Sequence, residues 1–298
     1  MTQAIICHDA GGAEILSSYA LQHKQDYIFV LEGPAKAIFK NKLGNIHTLS
    51  LNQAIKTASS FLCGTGWQSS LEYNAICQAR SHGVHSIAFL DHWIHYSERF
   101  TRSEKQCLPD EIWVGDTIAE HKAKVSFPEI SIKIIDNPYF QDIKNKLATM
   151  GTQININSDH NTVLYVCEPL REFALMQHND EYYWGYSEED ALKYFLSNTD
   201  YISKNISSIQ IRPHPSESAN KYENILHGCE LPVTNGGLNS LIEEINNNDI
   251  IVGSESMAMV IGLLANKRVI SCIPPGGRSC QLPHTEIEHL QNIVKHSL

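Results

Sequence analysis

Residues 249–273, DIIVGSESMAMVIGLLANKRVISCI, decide the fold that we predict for this chain. The β-branched apolar run 249–252 stops at a glycine, and 256–265 then has the composition of a buried helix. A second apolar run, 268–273, ends at the turn-forming sequence Pro-Pro-Gly-Gly, 274–277. Strand, tight turn, helix and strand in this order are typical of a βαβ unit in a parallel sheet covered by helices on both faces.

The same alternation continues towards the amino terminus. The predicted strands lie at 4–7, 27–31, 60–63, 86–90, 111–114, 130–135, 162–167 and 208–211, and the predicted helices at 12–23, from 34 onwards, 68–81, 188–198 and 238–246. The polar segment 146–161 separates two such series, and we predict that it is an interdomain linker. The pattern therefore predicts an α/β protein of two Rossmann-like doubly wound domains facing a cleft, 1–150 and 151–298, with ligands at the carboxyl ends of the strands.

Composition excludes several classes of protein. The chain has 298 residues, a formal net charge of −10 and 42% hydrophobic residues, which argues against disorder and against a nucleic-acid-binding protein. No apolar stretch approaches the ~20 residues that span a bilayer, so we expect no integral membrane segment, and peripheral membrane association is left open. The eight cysteines form no C-x-x-C pair, which indicates reduced thiols and a cytoplasmic protein.

Polar residues follow the first predicted strand. His8 and Asp9 precede the paired glycines Gly11 and Gly12. The glycines allow a tight turn and close approach of a ligand, and either polar side chain could act as a general base. The alternative for Asp9 is a helix N-cap. The pattern is not G-x-G-x-x-G, so it does not favour dinucleotide binding, and we predict no cofactor.

Two further loops of the first half carry candidate sugar-binding residues. Thr65 lies in a Gly-Thr-Gly turn whose hydroxyl and amides suit a sugar or an anion, or simply cap a helix. Asp91, His92 and Trp93 follow the strand 86–90, where an aromatic face beside polar groups suits a sugar ring. A metal site of Asp91, His92 and His95 lacks the H-E-x-x-H pattern, and we predict no metal.

The second half carries candidate phosphate ligands at three strand ends. In Arg-Pro-His-Pro, 212–215, two prolines fix the backbone around one imidazole, which favours a functional over a plain surface histidine. The Gly-Ser-Glu-Ser turn places hydroxyls and amides at a helix start, either as a phosphate cradle or as a simple N-cap. The candidates are Arg212, His214, Ser254, Glu255, Ser256 and Gly276.

These motifs resemble a known family. Residues 249–277 are similar to the nucleotide-sugar half of GT-B glycosyltransferases, an architecture shared by non-hydrolysing UDP-sugar epimerases. The His-Pro motif and the serines resemble those of GT-B bacterial sialyltransferases, polysialyltransferases and Kdo transferases. The resemblance implies that His214 contacts the phosphate of a CMP-sugar and assists departure of CMP, that Ser254 and Ser256 bind the same phosphate, and that an acidic residue deprotonates the acceptor. Asp9 is the first candidate for this base and Asp91 the second.

We therefore predict an inverting, metal-independent glycosyltransferase. Its partners would be a CMP-activated acidic sugar, a sialic acid-like nonulosonate or Kdo, and a bacterial surface-glycan acceptor. Three alternatives remain: a UDP-sugar 2-epimerase or hydrolase, a CDP-polyol phosphotransferase, and a non-catalytic nucleotide-sugar-binding protein. An epimerase or hydrolase would react with the donor alone, whereas a binding protein would bind without turnover.

Overall fold

The chain forms two compact units, Met1–Asp142 and Ile143–Leu298. The computed structural model describes residues 2–66, 69–151, 160–218 and 220–297. Most of the predicted linker lies outside these residues. Its first five residues, 146–150, are helical and not a linker, since they form the end of a helix that begins at Pro138.

The first unit is built on a six-stranded parallel sheet of order β2-β1-β3-β4-β7-β8. Its strands, together with a two-stranded antiparallel hairpin β5-β6, are β1 (Gln3–Cys7), β2 (Tyr27–Leu31), β3 (Ser60–Cys63), β4 (His85–Leu90), β5 (Thr101–Arg102), β6 (Lys105–Gln106), β7 (Glu111–Val114) and β8 (Ser131–Ile134). The helices are α1 (Ala10–Gln22), α2 (Ala35–Leu43), α3 (Leu51–Thr57), α4 (Leu71–His82), α5 (Tyr96–Arg99), α6 (Thr117–Ser126) and α7 (Pro138–Met150), the last of which crosses the division between the units.

The second unit is built on another six-stranded parallel sheet, of order β11-β10-β9-β12-β13-β14. Its strands are β9 (Asn161–Val166), β10 (Ile206–Arg212), β11 (Val233–Asn235), β12 (Ile250–Gly253), β13 (Arg268–Ser271) and β14 (Glu288–His289). The helices are α8 (Leu170–His178), α9 (Glu188–Leu196), α10 (Thr199–Ile202), α11 (Glu223–Leu226), α12 (Leu241–Asn247), α13 (Met257–Leu264) and α14 (Leu290–Ser297).

The central strands are covered on both faces. All four residues of β7 and all four of β12 are buried, although successive side chains of a strand point to opposite faces. Covered parallel strands of this kind appear as mainly apolar runs, which is why their sequences predicted them. The strands β11 and β14 were not predicted, because two or three residues at a sheet edge leave no apolar run.

Each sheet has one point at which the strand order reverses direction. In the first unit it lies between β1 and β3, and in the second between β9 and β12. Connections leave such neighbouring strands in opposite directions, so a crevice opens at their carboxyl ends, where ligands bind in doubly wound sheets. No helix in the described part of the chain is long and apolar enough to cross a membrane.

Candidate functional site

Asp9 lies at the reversal point of the first sheet. It is the N-cap of α1, with Oδ2 accepting from the Gly12 amide at 3.5 Å. The other oxygen, Oδ1, is buried and has no hydrogen-bond partner among the described residues. Burial and the nearby Asp91 raise the pKa of Asp9 to about 6, against the opposing effect of Arg99. The side chain is thus a helix cap and also a carboxylate with one oxygen able to take a proton.

Asp91, the second candidate base, is held in an ion pair. It follows β4 and accepts a short hydrogen bond from the guanidinium of Arg99, which is 7% exposed. The same guanidinium donates to the backbone and side-chain oxygens of Thr65, both at 3.0 Å. The Thr65 hydroxyl in turn donates to the Phe89 carbonyl at 3.0 Å. Asp91 and Thr65 therefore both bind the buried guanidinium of Arg99, and these contacts stabilise the turn after β3.

The two glycines predicted at the start of α1 allow close approach to carboxylates. A Cβ on Gly11 would lie 2.3 Å from Oδ2 of Asp91, and one on Gly12 would lie 3.2 Å from Oδ1 of Asp9. Across the crevice, a Cβ on Gly66 would lie 2.8 Å from Oδ1 of Asp9. Trp67 and Gln68, the rest of that predicted loop, lie outside the described residues.

We expect Gly11→Ala to destabilise the first unit by roughly 1–3 kcal/mol, because Asp91 cannot move aside without leaving Arg99. This cost outweighs the gain of up to ~1 kcal/mol that alanine brings to a helix interior. Chemical denaturation measures the difference. Gly228→Ala is the matched control, since a Cβ there meets nothing within 4 Å. A Gly11→Ala protein as stable as the wild type would contradict the contact.

Sequence reasoning missed Glu72, which lies in the first turn of α4 and is 1% exposed. Its Oε1 accepts from the His8 amide at 2.6 Å, whereas Oε2 is buried and finds no partner in the part of the chain that the structure describes. Burial and the charge of Asp9 raise the pKa of Glu72 to about 7. Asp9 and Glu72 thus titrate near neutral pH, where proton acceptors are useful.

Cys7 lies beside the two carboxylates. One ligand atom from each of Cys7, Asp9 and Glu72 lies within 4.8 Å of the others, a spacing that could hold a metal ion. The positive end of α1 at Asp9 disfavours a cation there. Burial, with the charges of Asp9 and Glu72, raises the pKa of Cys7 well above its usual value and keeps the thiol protonated. The helix N-terminus and the protonated thiol both disfavour a metal ion at this cluster.

The predicted sugar-binding residues after β4 are mostly interior. Trp93 is 5% exposed and donates from Nε1 to Asp116 at 2.8 Å, so it offers no open face to a sugar ring. His92 packs edge-on against it, and burial lowers the pKa of His92 to about 4, which makes it a neutral imidazole. The His8 ring packs against Gly33, where a Cβ would lie only 2.6 Å from Nε2 of His8.

In the second unit, His214 is held in one tautomer. Its Nδ1 accepts from the Ser216 amide at 3.2 Å and lies 2.8 Å from the Ser216 hydroxyl, so the ring proton belongs on Nε2. The His214 amide donates to Glu217 at 2.8 Å, and Glu217 also binds Lys221 and Tyr222. Burial lowers the pKa of His214. The residue thus has a fixed backbone and a neutral ring with Nε2–H as a donor.

Arg212 is already paired. Its guanidinium donates to the buried carboxylate of Glu244 and to the Asn239 carbonyl, the latter at 3.1 Å. Gly236 packs against both members of the Arg212–Glu244 ion pair, since a Cβ there would lie 3.1 Å from Cβ of Arg212 and from Oε2 of Glu244. Arg212 therefore fixes the end of β10, and a phosphate would have to compete with Glu244 for it.

The turn between β12 and α13 holds an internal anion that sequence reasoning also missed. The amides of Ser254 and Glu255 donate to Oε1 of Glu168, at 3.2 and 2.8 Å. Ser256 is the N-cap of α13, its hydroxyl accepting from the Ala258 amide at 3.2 Å. The predicted phosphate donors are thus present, at the reversal point of the second sheet, and a carboxylate engages them.

A second turn borders this one. Gly276 adopts φ +92°, in the left-handed region that favours glycine. A Cβ on Gly185 would lie only 2.6 Å from the carbonyl oxygen of Gly276. Arg278 stacks on the Trp184 ring at 4.1 Å and forms a short ion pair with Glu255. The predicted phosphate residue Glu255 is therefore turned towards Arg278.

Comparison with known proteins places this architecture. No protein-family model matches the chain, and no curated protein matches it. Solved structures do. The MnaA–UDP structure from S. aureus matches 99% of this chain and 87% of that one, with a TM-score of 0.61 at 10% identity. The fold is GT-B. The predicted fold class is confirmed.

Two other structures with the GT-B fold agree. The UDP-GlcNAc 2-epimerase from Methanocaldococcus jannaschii matches 91% of this chain and 83% of that one, with a TM-score of 0.58 at 11% identity. Acinetobacter baumannii MurG matches 99% and 83%, with a TM-score of 0.51 at 10% identity. At such identities the likeness shows the GT-B fold alone, and the role of each site residue stays a prediction.

Proposed function

We propose that this protein is a glycosyltransferase that transfers an acidic sugar from a CMP-activated donor to a bacterial surface glycan, with inversion and without a metal. The observation that carries the proposal is the fixed tautomer of His214. A neutral ring that donates from Nε2 is suited to a phosphate oxygen on which charge develops as CMP leaves. The amides and hydroxyls of the turn before α13 supply further donors for the same phosphate.

Asp9 is the proposed base. Its pKa of about 6 leaves it ionised at neutral pH yet basic enough to accept a proton in the transition state. The acceptor hydroxyl oxygen bonds to the anomeric carbon and its proton passes to Asp9. The bond from that carbon to the phosphate oxygen breaks, and CMP leaves with the electron pair. Asp91 is a weaker candidate because Arg99 already neutralises it.

A thermal-shift panel of CMP, CDP, UMP, UDP, GDP and NAD tests the donor. We expect CMP to stabilise the protein, by about 2.7 kcal/mol at ~100 times its dissociation constant, and less so in His214→Ala. A preference for UDP would support a 2-epimerase or hydrolase instead, and a preference for CDP a polyol phosphotransferase. No stabilisation by any nucleotide would contradict the proposal.

Turnover separates an enzyme from a binding protein. Nucleotide release from CMP-sialic acid and CMP-Kdo is measured with a mixture of oligosaccharide acceptors, for the wild type and for Asp9→Asn. A glycosyltransferase loses release in Asp9→Asn but keeps CMP binding. A protein that binds CMP in both forms and never releases it from a donor is a nucleotide-sugar-binding protein.

A further inference from the structure

The carboxylate of Glu168 occupies the donors that a phosphate would use. Glu168 lies just after β9, one residue beyond Cys167, and its Oε1 accepts from two successive amides in the turn before the N-cap of α13, those of Ser254 and Glu255. Amides at a helix start attract anions through their free N–H groups and the helix dipole. In the absence of ligand, the protein thus supplies its own anion to this position.

Two buried polar groups beside this turn have no hydrogen-bond partner within the described ranges. The Tyr186 side chain is 2% exposed, and its hydroxyl lies beside that of Ser254 without a hydrogen bond of normal geometry. The Nε of Arg278 is buried and also has no partner, although the same guanidinium binds Glu255. A buried donor without an acceptor destabilises the folded protein. An incoming anion with several oxygens can satisfy donors that the single carboxylate of Glu168 leaves unpaired.

The charges around Glu168 weaken the binding of its carboxylate to the two amides. Glu255 faces it with a like charge, and its other titratable neighbours are Tyr186, Cys167, Cys272 and Cys280. Arg278, the nearby cation, is already shared with Glu255. Burial and the charge of Glu255 raise the pKa of Glu168 to about 7, so protonation near neutral pH removes the charge that competes with another anion for these amides.

We propose that Glu168 is an exchangeable internal anion: a phosphate of the nucleotide ligand replaces its carboxylate at the amides of Ser254 and Glu255. The displaced carboxylate takes up a proton, because two anions cannot share one turn. The proposal rests on the proposed function only in naming the ligand as a nucleotide, since the exchange itself requires just a phosphate. Ligand affinity then falls as pH rises through the pKa of Glu168.

Calorimetric titration of Glu168→Gln with CMP, inorganic phosphate and cytidine tests the exchange. Glutamine keeps an oxygen that accepts from both amides but has no charge to compete with phosphate. For a displaced group of pKa about 7, we expect Glu168→Gln to bind CMP and phosphate roughly 10-fold more tightly than wild type at pH 8, and about equally at pH 6. The ratio between the two proteins cancels the titration of the ligand's own phosphate.

Controls separate this proposal from the proposed function. Glu230→Gln makes the same change at an exposed residue and should leave binding unchanged. Cytidine, which lacks phosphate, should bind both proteins alike. A gain for inorganic phosphate without any CMP binding would uphold the exchange and contradict the CMP-sugar proposal. CMP binding that is unchanged or weakened in Glu168→Gln at pH 8, or no phosphate binding by either protein, would overturn the exchange.

Discussion

His214→Ala is expected to lower kcat for CMP release at least ~100-fold. The Nε2–H of His214 would bind the phosphate oxygen as negative charge develops on it, an interaction that is stronger in the transition state than in the ground state. The side chain is half-buried, its Nδ1 bonds to Ser216 in its own turn, and its ring lies edge-on to Phe173, so the fold should survive its loss. Nucleotide release under saturating donor measures kcat, and the melting temperature checks the fold.

Ser216→Ala is the matched variant for this prediction. It removes the hydroxyl beside Nδ1 but keeps the backbone amide that also holds the tautomer. We therefore expect a much smaller loss of kcat than in His214→Ala. Near-normal turnover by His214→Ala would remove the residue from the mechanism. A rise in KM at constant kcat would mean that His214 binds donor and transition state equally.

The parts of the fold that the sequence predicted are those with strong local signals. Apolar runs predicted the buried strands β9 and β12, and the glycine that ends β12 predicted the turn after it. Because parallel strands place their carboxyl ends along one edge of a sheet, the same reasoning brought Ser254 and Asp9 forward as candidates. Each proved to lie at a reversal point of its sheet.

Two residues that the sequence did not reveal, Glu72 and Glu168, reach their partners only because strands that are distant in sequence pair with each other. Glu168 looks like an ordinary acid after a strand, and only the pairing of β9 with β12 places it against amides about 87 residues away. Glu72 looks like a solvated acid in the first turn of a helix. Only the pairing of β1 with β3 brings it to the His8 amide. No local pattern carries such long-range contacts.

The sequence predicts that Trp93 binds a sugar ring, because polar and aromatic residues surround it. The tertiary structure gives this side chain a packing role instead. An aromatic side chain in a polar loop suits either a sugar ring or local packing. The hydrogen bond from Trp93 to Asp116, the N-cap of α6, draws the indole inwards. Because Asp116 lies on the connection after β7, the sequence around Trp93 contains nothing that reveals this partner.

Glu72→Gln is expected to stabilise the protein at pH 8 by on the order of 2 kcal/mol, with little effect at pH 5. The pKa of Glu72 is raised in the folded state, from an ordinary 4.5 to about 7. Folded protein therefore binds this proton more tightly than unfolded protein does. The stability that the protonated carboxyl contributes is complete below pH 4.5 and is lost as pH rises through 7. Glutamine mimics the protonated form at every pH.

The geometry of Glu72→Gln supports a gain rather than a loss. The amide oxygen can still accept from the His8 N–H, and the amide nitrogen takes the place of Oε2, which has no partner. Urea unfolding from pH 5 to 8 measures the change, with Glu129→Gln as the control at an exposed residue.

A stability difference between Glu72→Gln and wild type that does not grow with pH would contradict the raised pKa of Glu72 in the folded protein. Stabilisation of the wild type by Zn²⁺, absent in Glu72→Gln, would instead assign Cys7, Asp9 and Glu72 to a metal. If the gain at pH 8 is found, the uncompensated charge at Glu72 is a cost that the fold bears at neutral pH. Carboxylates whose pKa is raised at the expense of stability are common at functional sites, which agrees with a role for Asp9 and Glu72 as proton acceptors.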